Sequence, residues 1–449
     1  MKHKYMAVIQ AGGMGTRMRE LTKDKIPKPM LILNGKPMLE WQIQNIAGYG
    51  IKDFIIIIGH LGEKVKEYFH NGSKLGVHIQ YIEEKEPLGS AGALALLKSM
   101  YIFEATDFLV VFGDVMFDLD IHRLCCFHEK QDGLVTLLTH PNSHPYDSDL
   151  LITDDAGQVL NIISKHEERN EWYENLVNAG IYVLSGEFIT DLVKKGIEKM
   201  DMERDVLKPM VGKGKVYAYR TPEYIKDAGT PERFLTVCRE QREGVWEQKN
   251  LTKKQRCVFL DRDGTINKYQ GLIYKEEQLE LEQGAAEAIR LLNEAGYLAI
   301  VVTNQPVVAR GLCDIGEVER IHKKLQVLLG EQGAYLDDIV YCPHHPDKGY
   351  PEENPLYKIS CKCRKPNTGM IDKMLEKYNI DSRKSYIVGD SSVDIQTGKN
   401  TGLKTILVVT GQAGQDGKYR VQADMQAKDL LEAVKVILDS NGSENIPIA

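Results

Sequence analysis

Val258-Phe259-Leu260-Asp261-Arg262-Asp263-Gly264-Thr265 lies just past the middle of a chain of 449 residues. The apolar run reads as a short buried strand, and two aspartates stand at its carboxyl end. Residues two apart in a strand point the same way, but this strand is ending, so the two carboxylates can diverge. That suits a division of labour in phosphoryl transfer. One carboxylate attacks phosphorus; the other protonates the leaving alcohol and then activates water.

The same texture extends in both directions. Strand-like runs at Met6–Gln10, Phe54–Ile58, Phe108–Phe112, Leu134–Leu138, Gly180–Leu184, Leu298–Val302, Tyr386–Val388 and Thr405–Val409 alternate with amphipathic helical stretches. This predicts an α/β protein with mostly parallel strands. Gly59, Gly113-Asp114 and Gly389-Asp390 follow such runs, where ligands of open α/β sheets bind. The stretch 241–256 is charged and poor in apolar residues, and is expected to be a helix end plus a linker joining a domain over 1–240 to one over 257–449.

Composition bounds the function. A net charge of -7 argues against a general nucleic-acid binder. No apolar run approaches the ~20 residues of a membrane span, and the short apolar stretch after Met1-Lys2-His3-Lys4 is a first strand rather than a signal peptide. Five of the eight cysteines are scattered, while Cys342, Cys361 and Cys363 cluster. The pattern suggests a reduced, cytoplasmic protein with one metal site.

A second phosphate signature opens the chain, Ala11-Gly12-Gly13-Met14-Gly15-Thr16-Arg17. Glycines let backbone N–H groups approach phosphate, and the helix expected next would favour an anion at its N-terminus. The Gly-Lys-Ser/Thr ending of a P-loop is missing. Lys28 follows, between Pro27 and Pro29, which are expected to hold it in an extended segment where it can neutralise charge on pyrophosphate.

These residues, with Asn34-Gly35-Lys36-Pro37-Met38, Pro87-Leu88-Gly89-Ser90-Ala91-Gly92-Ala93, Gly113-Asp114, Asn178-Ala179-Gly180-Ile181-Tyr182 and Asp227-Ala228-Gly229-Thr230-Pro231, resemble the sugar-1-phosphate nucleotidylyltransferases over about residues 4–240. The resemblance implies a Rossmann-like fold and attack of a sugar 1-phosphate on the α-phosphorus of a nucleoside triphosphate. It places Gly12, Gly13, Gly15, Thr16, Arg17 and Lys28 on the triphosphate and Gly89 near the base. Asp114 and Asp227 would hold Mg²⁺, and Lys165 and Asn178 would contact the sugar phosphate. Ser164 and Asp147 depart from the family's usual residues.

In the second half Thr303 closes the strand Leu298–Val302 and Asn304-Gln305 follow; Lys365 sits in Arg364-Lys365-Pro366, and Asp390 follows Tyr386-Ile387-Val388-Gly389, with Asp394 beyond. A hydroxyl, a lysine and a metal-binding aspartate together orient and neutralise phosphoryl oxygens. With Asp261 and Asp263 the set resembles the haloacid dehalogenase superfamily of phosphatases. That implies a second Rossmann-like domain, Asp261 as nucleophile, Asp263 as acid/base, and Mg²⁺ on Asp261, the Asp263 carbonyl and Asp390. Only 39 residues, 264–302, separate Asp263 from Thr303, which leaves no room for a large cap.

Cys342-x-His344 and Cys361-x-Cys363, sixteen residues apart, form a Cys₃His set suited to structural zinc, with His345 as a competing ligand. Such a loop before Arg364-Lys365 looks like the heptose bisphosphate phosphatases and the related histidinol-phosphate phosphatases. Arg364, Arg310 and Asn304 would then bind substrate, and His344 is the ligand that the resemblance prefers. Pro306 and Ser391-Ser392 depart from this family, which often carries lysine after the metal aspartate.

The two halves fit together as consecutive steps. A heptose 1,7-bisphosphate 7-phosphatase makes a sugar 1-phosphate, and a nucleotidylyltransferase consumes one. The resemblance implies synthesis of a nucleotide-activated heptose for surface polysaccharide, with GTP as the nucleotide by analogy. Small-molecule substrates, no nucleic acid and no membrane are expected; the oligomeric state stays open. A hexose 1-phosphate transferase fused to a histidinol-phosphate phosphatase, or one non-catalytic half, are the alternatives.

Overall fold

The computed structural model describes residues 4–100, 106–169, 171–347, 349 and 352–442, so the outer ends of the expected domains, 1–3 and 443–449, lie outside the described residues. The chain divides into two compact units. The first runs to His140 and takes in Asp149–Ser164 and Leu176–Asn250; the second holds Pro141–Ser148, Lys165–Asn175 and the chain from Leu251 onward.

The first unit is built on a nine-stranded mixed sheet. Lys4–Ala11 pairs in parallel with Asp53–Ile58 on one side and Thr106–Phe112 on the other, and Asp53–Ile58 pairs in parallel with His78–Glu83. Tyr5, Ala7 and Ile9 of the first strand enter one apolar cluster, while Met6 and Val8 enter another on the opposite face. Burial on both faces is why this strand is a continuous apolar run rather than an alternating one.

The expectation of mostly parallel strands fails in part here. Val177–Leu184 runs antiparallel to Thr106–Phe112, to Val135–His140 and to Leu150, and Leu150–Thr153 pairs antiparallel with Val159–Ile163. A strand buried on both faces has the same composition in either direction. The polarity is set by connections that composition does not describe.

The second unit contains a six-stranded, all-parallel sheet in the order Asp338–Cys342, Leu298–Asn304, Cys257–Leu260, Tyr386–Gly389, Lys404–Val408, Met425–Ala427. The strand Cys257–Leu260 lies between two strands that follow it in sequence, so strand order reverses at its carboxyl end. That is the switch point where open α/β sheets bind ligands. Val258 and Leu260 pack into one apolar cluster with the helix Ala285–Glu294; Cys257 and Phe259 pack into the other with Met370, Ile371 and Met374. Between Asp263 and the strand Leu298–Asn304 lie one 3₁₀ turn, Glu276–Gln278, and that ten-residue helix, with no inserted domain.

The stretch 241–256 opens with the expected helix end and adds a second helix. It begins at the end of the helix Pro231–Arg242 and includes the short helix Val245–Lys249. Trp246 of that helix is buried, stacked on Tyr224 with ring centroids 5.0 Å apart and edge-on to Trp41 at 5.5 Å. One aromatic side chain carries enough apolar surface to dock an otherwise charged segment.

Candidate functional site

In the first unit the carboxyl ends of Lys4–Ala11 and Thr106–Phe112 bound a cleft of about 470 Å³. Gly12, Gly13, Gly15, Thr16, Arg17, Lys28, Gly89, Asp114 and Gly229 all line it. Gly15 is left-handed at φ +60°, and a Cβ there would stand 3.2 Å from Lys28 Cβ, so the loop closes directly on that lysine. Lys28 is buried, and its Nζ donates to Asp114 Oδ2 at 2.6 Å.

Two local expectations are corrected. Lys28–Met30 is a single 3₁₀ turn rather than an extended segment, closed by Met30 N–H to Pro27 O at 2.9 Å and Leu31 N–H to Lys28 O at 3.1 Å. Pro29 sits early in that turn, where its missing N–H costs nothing. The helix expected after the glycine loop is only a 3₁₀ turn, Thr16–Met18, followed by four α-helical residues, Arg19–Thr22. So short a helix adds little macrodipole, and the loop's own N–H groups carry any attraction for phosphate.

Asp227 lies beside this cleft. Its strand, Tyr224–Asp227, pairs with Val115–Asp118, which directly follows Asp114; Asp227 stands opposite Val115, and Ala228 N–H donates to Asp114 O at 2.8 Å. Asp227 Oδ2 accepts from Arg233 Nη1 at 2.5 Å, while Oδ1 is buried without a hydrogen-bond partner. An orphaned carboxylate oxygen at this position is a donor that suits a hard divalent cation. A Cβ on Gly229 would meet both Asp227 Oδ1, at 2.6 Å, and Arg17 Nη2, at 3.2 Å, so Arg17 faces the same corner.

Asn178 and Lys165 are not among the cleft-lining residues. Asn178 Nδ2 donates to Tyr182 Oη at 2.8 Å and to Glu203 Oε1 at 2.6 Å, and its Oδ1 accepts from Gly180 N–H at 3.1 Å. Burial holds the Glu203 carboxyl above its usual range. Lys165 is exposed and belongs to a segment grouped with the second unit. Sequence reasoning missed Gln10 and Glu84 in the cleft. Gln10 Nε2 donates to Ser90 O at 2.8 Å, and Glu84 Oε1 accepts from Leu88 N–H at 2.7 Å. Glu84 directly follows the strand His78–Glu83, so its place at a strand's carboxyl end was the available signal.

In the second unit Asp261 and Asp263 do diverge. Lys365 Nζ donates to Asp261 Oδ1 at 2.9 Å and to Asp394 Oδ1 at 2.5 Å. Asp263 turns instead to Arg262, which grips it through Nε at 3.0 Å and Nη2 at 2.9 Å, and to Gln305 Nε2 at 3.0 Å and Asn267 Nδ2 at 3.0 Å. Arg262 is fully buried, and its Nη1 meets Nε2 of His322 at 3.2 Å. Burial, then the Arg262 charge, keeps the His322 imidazole neutral.

Carboxylate oxygens of Asp261, Asp390 and Asp394 lie within 4.8 Å of one another. Asp394 is the member to which the sequence assigned no role, and the Asp263 carboxylate is not in this group. Burial, and then the neighbouring Asp394 charge, raises Asp261 to about 6 against the pull of Lys365; burial, then Asp261 and Asp394, raises Asp390 to about 8. Burial pulls the Lys365 ammonium down, but Asp261 and Asp394 outweigh it and the net shift is upward. Crowded carboxylates of this kind fit a divalent cation.

Thr303 Oγ1 accepts from Gln305 Nε2 at 2.9 Å. Asn304 is held by the backbone of Lys365: Oδ1 accepts from Lys365 N–H at 3.0 Å and Nδ2 donates to Lys365 O at 3.1 Å. Arg364 Nη1 donates to His344 O at 3.1 Å, and Arg310 is close enough to oppose its charge.

Cys342, His344, Cys361 and Cys363 present their donor atoms within 4.8 Å of one another. The sulfur–sulfur distances are 3.5, 3.3 and 3.2 Å, and His344 Nδ1 stands 3.6 Å from Cys342 Sγ and 3.4 Å from Cys363 Sγ. These are too long for disulfides and near the ~3.7 Å edge of a tetrahedron with ~2.3 Å metal–sulfur bonds. His345 stays outside the group. Its Nδ1 accepts from Asp347 N–H at 3.1 Å, and burial, then Arg364, lowers it to about 4.

Comparison with known proteins matches this geometry to two families. The nucleotidyl transferase family profile covers residues 6–244, and a HAD-hydrolase-like profile covers 362–433. The D-glycero-beta-D-manno-heptose-1,7-bisphosphate 7-phosphatase of Haemophilus ducreyi is 36% identical over 186 residues, which are 41% of this chain and 98% of that protein. The mannose-1-phosphate guanylyltransferase catalytic subunit beta of Drosophila pseudoobscura pseudoobscura is 31% identical over 231 residues, 51% of this chain and 60% of that protein. The solved structure of HddC from Yersinia pseudotuberculosis is 27% identical, spans 53% of this chain and 99% of its own, and aligns with a TM-score of 0.45. No helix among the described residues is long and apolar enough to cross a membrane. The chain therefore belongs to the nucleotidyl transferase family through its N-terminal half and to the HAD-like phosphatases related to the heptose-bisphosphate 7-phosphatases through its C-terminal half, two enzymes in one polypeptide.

Proposed function

We propose that the two halves, with domains at 1–240 and 257–449, catalyse consecutive steps in making a nucleotide-activated heptose. The C-terminal half removes the 7-phosphate of D-glycero-D-manno-heptose 1,7-bisphosphate. The N-terminal half joins the resulting heptose 1-phosphate to a nucleotidyl group, GMP from GTP, and releases pyrophosphate. The observation that carries this is the pairing within one chain: a region similar to a phosphatase of a 1,7-bisphosphate follows a region similar to a sugar-1-phosphate guanylyltransferase. Five of its eight cysteines are scattered and three gather at a candidate metal site, which favours the cytoplasm as its place of work. The experiment is to supply heptose 1,7-bisphosphate alone and identify which phosphate leaves; loss of the 1-phosphate would refute the pairing.

In the hydrolase, Asp261 Oδ attacks phosphorus and the bond to the leaving alcohol breaks, giving an aspartyl phosphate. Asp263 gives that alcohol its proton, exchanging its bonds to Arg262 and Gln305 for the substrate. It then takes a proton from the water that hydrolyses the intermediate. Lys365 and Thr303 orient the phosphoryl oxygens, and Arg364 and Arg310 receive the second anionic group. Asp261, the Asp263 carbonyl and Asp390 would hold Mg²⁺, which when bound polarises the phosphoryl group.

In the transferase, the N–H groups of Gly12, Gly13, Gly15 and Thr16 cradle the triphosphate. Arg17 and Lys28 neutralise the departing pyrophosphate as an oxygen of the sugar phosphate attacks the α-phosphorus. Gly89 lies near the base, and Asp114 and Asp227 would hold Mg²⁺.

Zinc on Cys342, His344, Cys361 and Cys363 would fix the loop that precedes Lys365. Cys361→Ser is expected to lower bound zinc by about one equivalent per chain and to depress phosphate release, with nucleotidyl transfer unchanged. Elemental analysis beside both assays checks this; full zinc content in the variant would contradict it.

The raised Asp261 and Asp390 bind protons in the folded, metal-free chain that the unfolded chain gives up. Their contribution to stability is complete below the ordinary carboxylate range and is lost as pH rises through about 6 and about 8. A bound cation relieves that repulsion, so thermal stabilisation by added Mg²⁺ is expected to be larger near pH ~8.5 than near pH ~5.5. A stabilisation independent of pH in thermal-shift measurements would count against the cluster as the ion's site.

A further inference from the structure

After the strand Lys404–Val408 the chain folds back over the aspartate cluster in a run of turns. Gln412 N–H donates to Asp390 Oδ2 at 2.7 Å, Gly414 N–H donates to Asp390 O at 2.7 Å, and Thr410 Oγ1 donates to Gly264 O at 2.6 Å. The approach is close: a Cβ on Gly411 would stand 2.1 Å from Asp390 Oδ2. The far end of the loop is fastened by a side chain. Asp416 Oδ1 accepts from Ser392 N–H at 2.7 Å and Asp416 Oδ2 from Ser392 Oγ at 2.7 Å, while Tyr419 N–H donates to the same Oγ at 3.0 Å.

We propose that Asp416 is a positioning residue of the phosphatase site: it latches residues 409–419 to Ser392 and so holds the Gln412 amide on the Asp390 carboxylate. The inference rests on the reading that Asp390 takes up Mg²⁺. The Gln412 bond fixes the rotation of that carboxylate by occupying one of its oxygens. Gly411, Gly414 and Gly417 all adopt positive φ, and these residues have no helix or strand to order them. A carboxylate that accepts the first N–H of the helix Ser392–Thr401 is a strong anchor for such a loop.

The latch also gives Ser391 and Ser392 a part in ordering the site. Ser391 Oγ donates to Asp394 Oδ2 at 2.5 Å and Ser392 Oγ to Asp416, so each hydroxyl orders a carboxylate around Asp390. Outer partners that orient a metal ligand typically change metal affinity 10–100-fold when removed.

The test uses the full chain and the variants Asp416→Ala, Asp416→Asn and Ser392→Ala, with thermal melting of the full chain as the folding control. The Mg²⁺ concentration for half-maximal phosphate release from heptose 1,7-bisphosphate is expected to rise about tenfold in Asp416→Ala, with most of kcat recovered at high Mg²⁺. Ser392→Ala should shift less, because the Ser392 N–H still reaches Asp416. Hydrogen exchange across 409–420 should quicken in all three and regain less protection on adding Mg²⁺. Faster exchange with an unchanged Mg²⁺ requirement would overturn the proposal, as would a loss of kcat that Mg²⁺ does not restore. A wild-type chain whose hydrolysis needs no Mg²⁺ would overturn the metal reading instead. Asp416→Asn and Ser392→Ala keep the test decisive if Asp416→Ala fails to fold.

Discussion

Asp261→Asn should lower phosphate release by at least about 10³-fold, roughly 4 kcal/mol of barrier, and leave nucleotidyl transfer unchanged. The amide keeps the shape of the side chain and loses the nucleophilic oxygen. No neighbour is placed to take over. Asp394 is fully buried and held by Lys365 and Ser391, and Asp390 is held by Gln412. The variant also removes one of three crowded carboxylates, so its metal-free form should melt higher than the wild type. Phosphate release, nucleotidyl transfer and melting temperature measured on one preparation separate the chemistry from the fold. Phosphate release near the wild-type rate would dismiss Asp261 as nucleophile.

Lys28→Gln should cost the transferase about 10²–10³-fold in kcat/KM, with hydrolysis of the bisphosphate intact. The lysine is buried and paired at 2.6 Å with Asp114. A buried ammonium beside a phosphate loop stabilises charge that grows as pyrophosphate departs. Its loss should therefore fall on kcat more than on KM for the triphosphate. Pyrophosphate release measured over a range of nucleotide concentrations would show the split. A change confined to KM would make Lys28 a ground-state contact only.

The sequence exposed most of this because buried parallel strands announce themselves. Tyr386–Gly389 and Leu298–Asn304 are apolar runs closed by polar residues, and the chemistry stands where they close. Direction was not legible for Val177–Leu184, because burial on both faces erases the polarity signal. Asp394 was visible but had no assigned role. It lies four residues past Asp390 in the first turn of a helix, and that spacing returns it to the strand end. The bonds between the Asn304 amide and the backbone of Lys365 were not legible, because 61 residues separate the two in sequence. Trp246 hid in a charged stretch because docking needed only one aromatic residue.

The joint reading is tested most directly by product analysis. The full chain is supplied with D-glycero-D-manno-heptose 1,7-bisphosphate as separate anomers, Mg²⁺ and each of the four nucleoside triphosphates, and products are identified by mass spectrometry. The account predicts orthophosphate, pyrophosphate and a GDP-heptose, with heptose 1-phosphate accumulating when nucleotide is withheld. No heptose 1-phosphate, together with faster hydrolysis of histidinol phosphate, would contradict it.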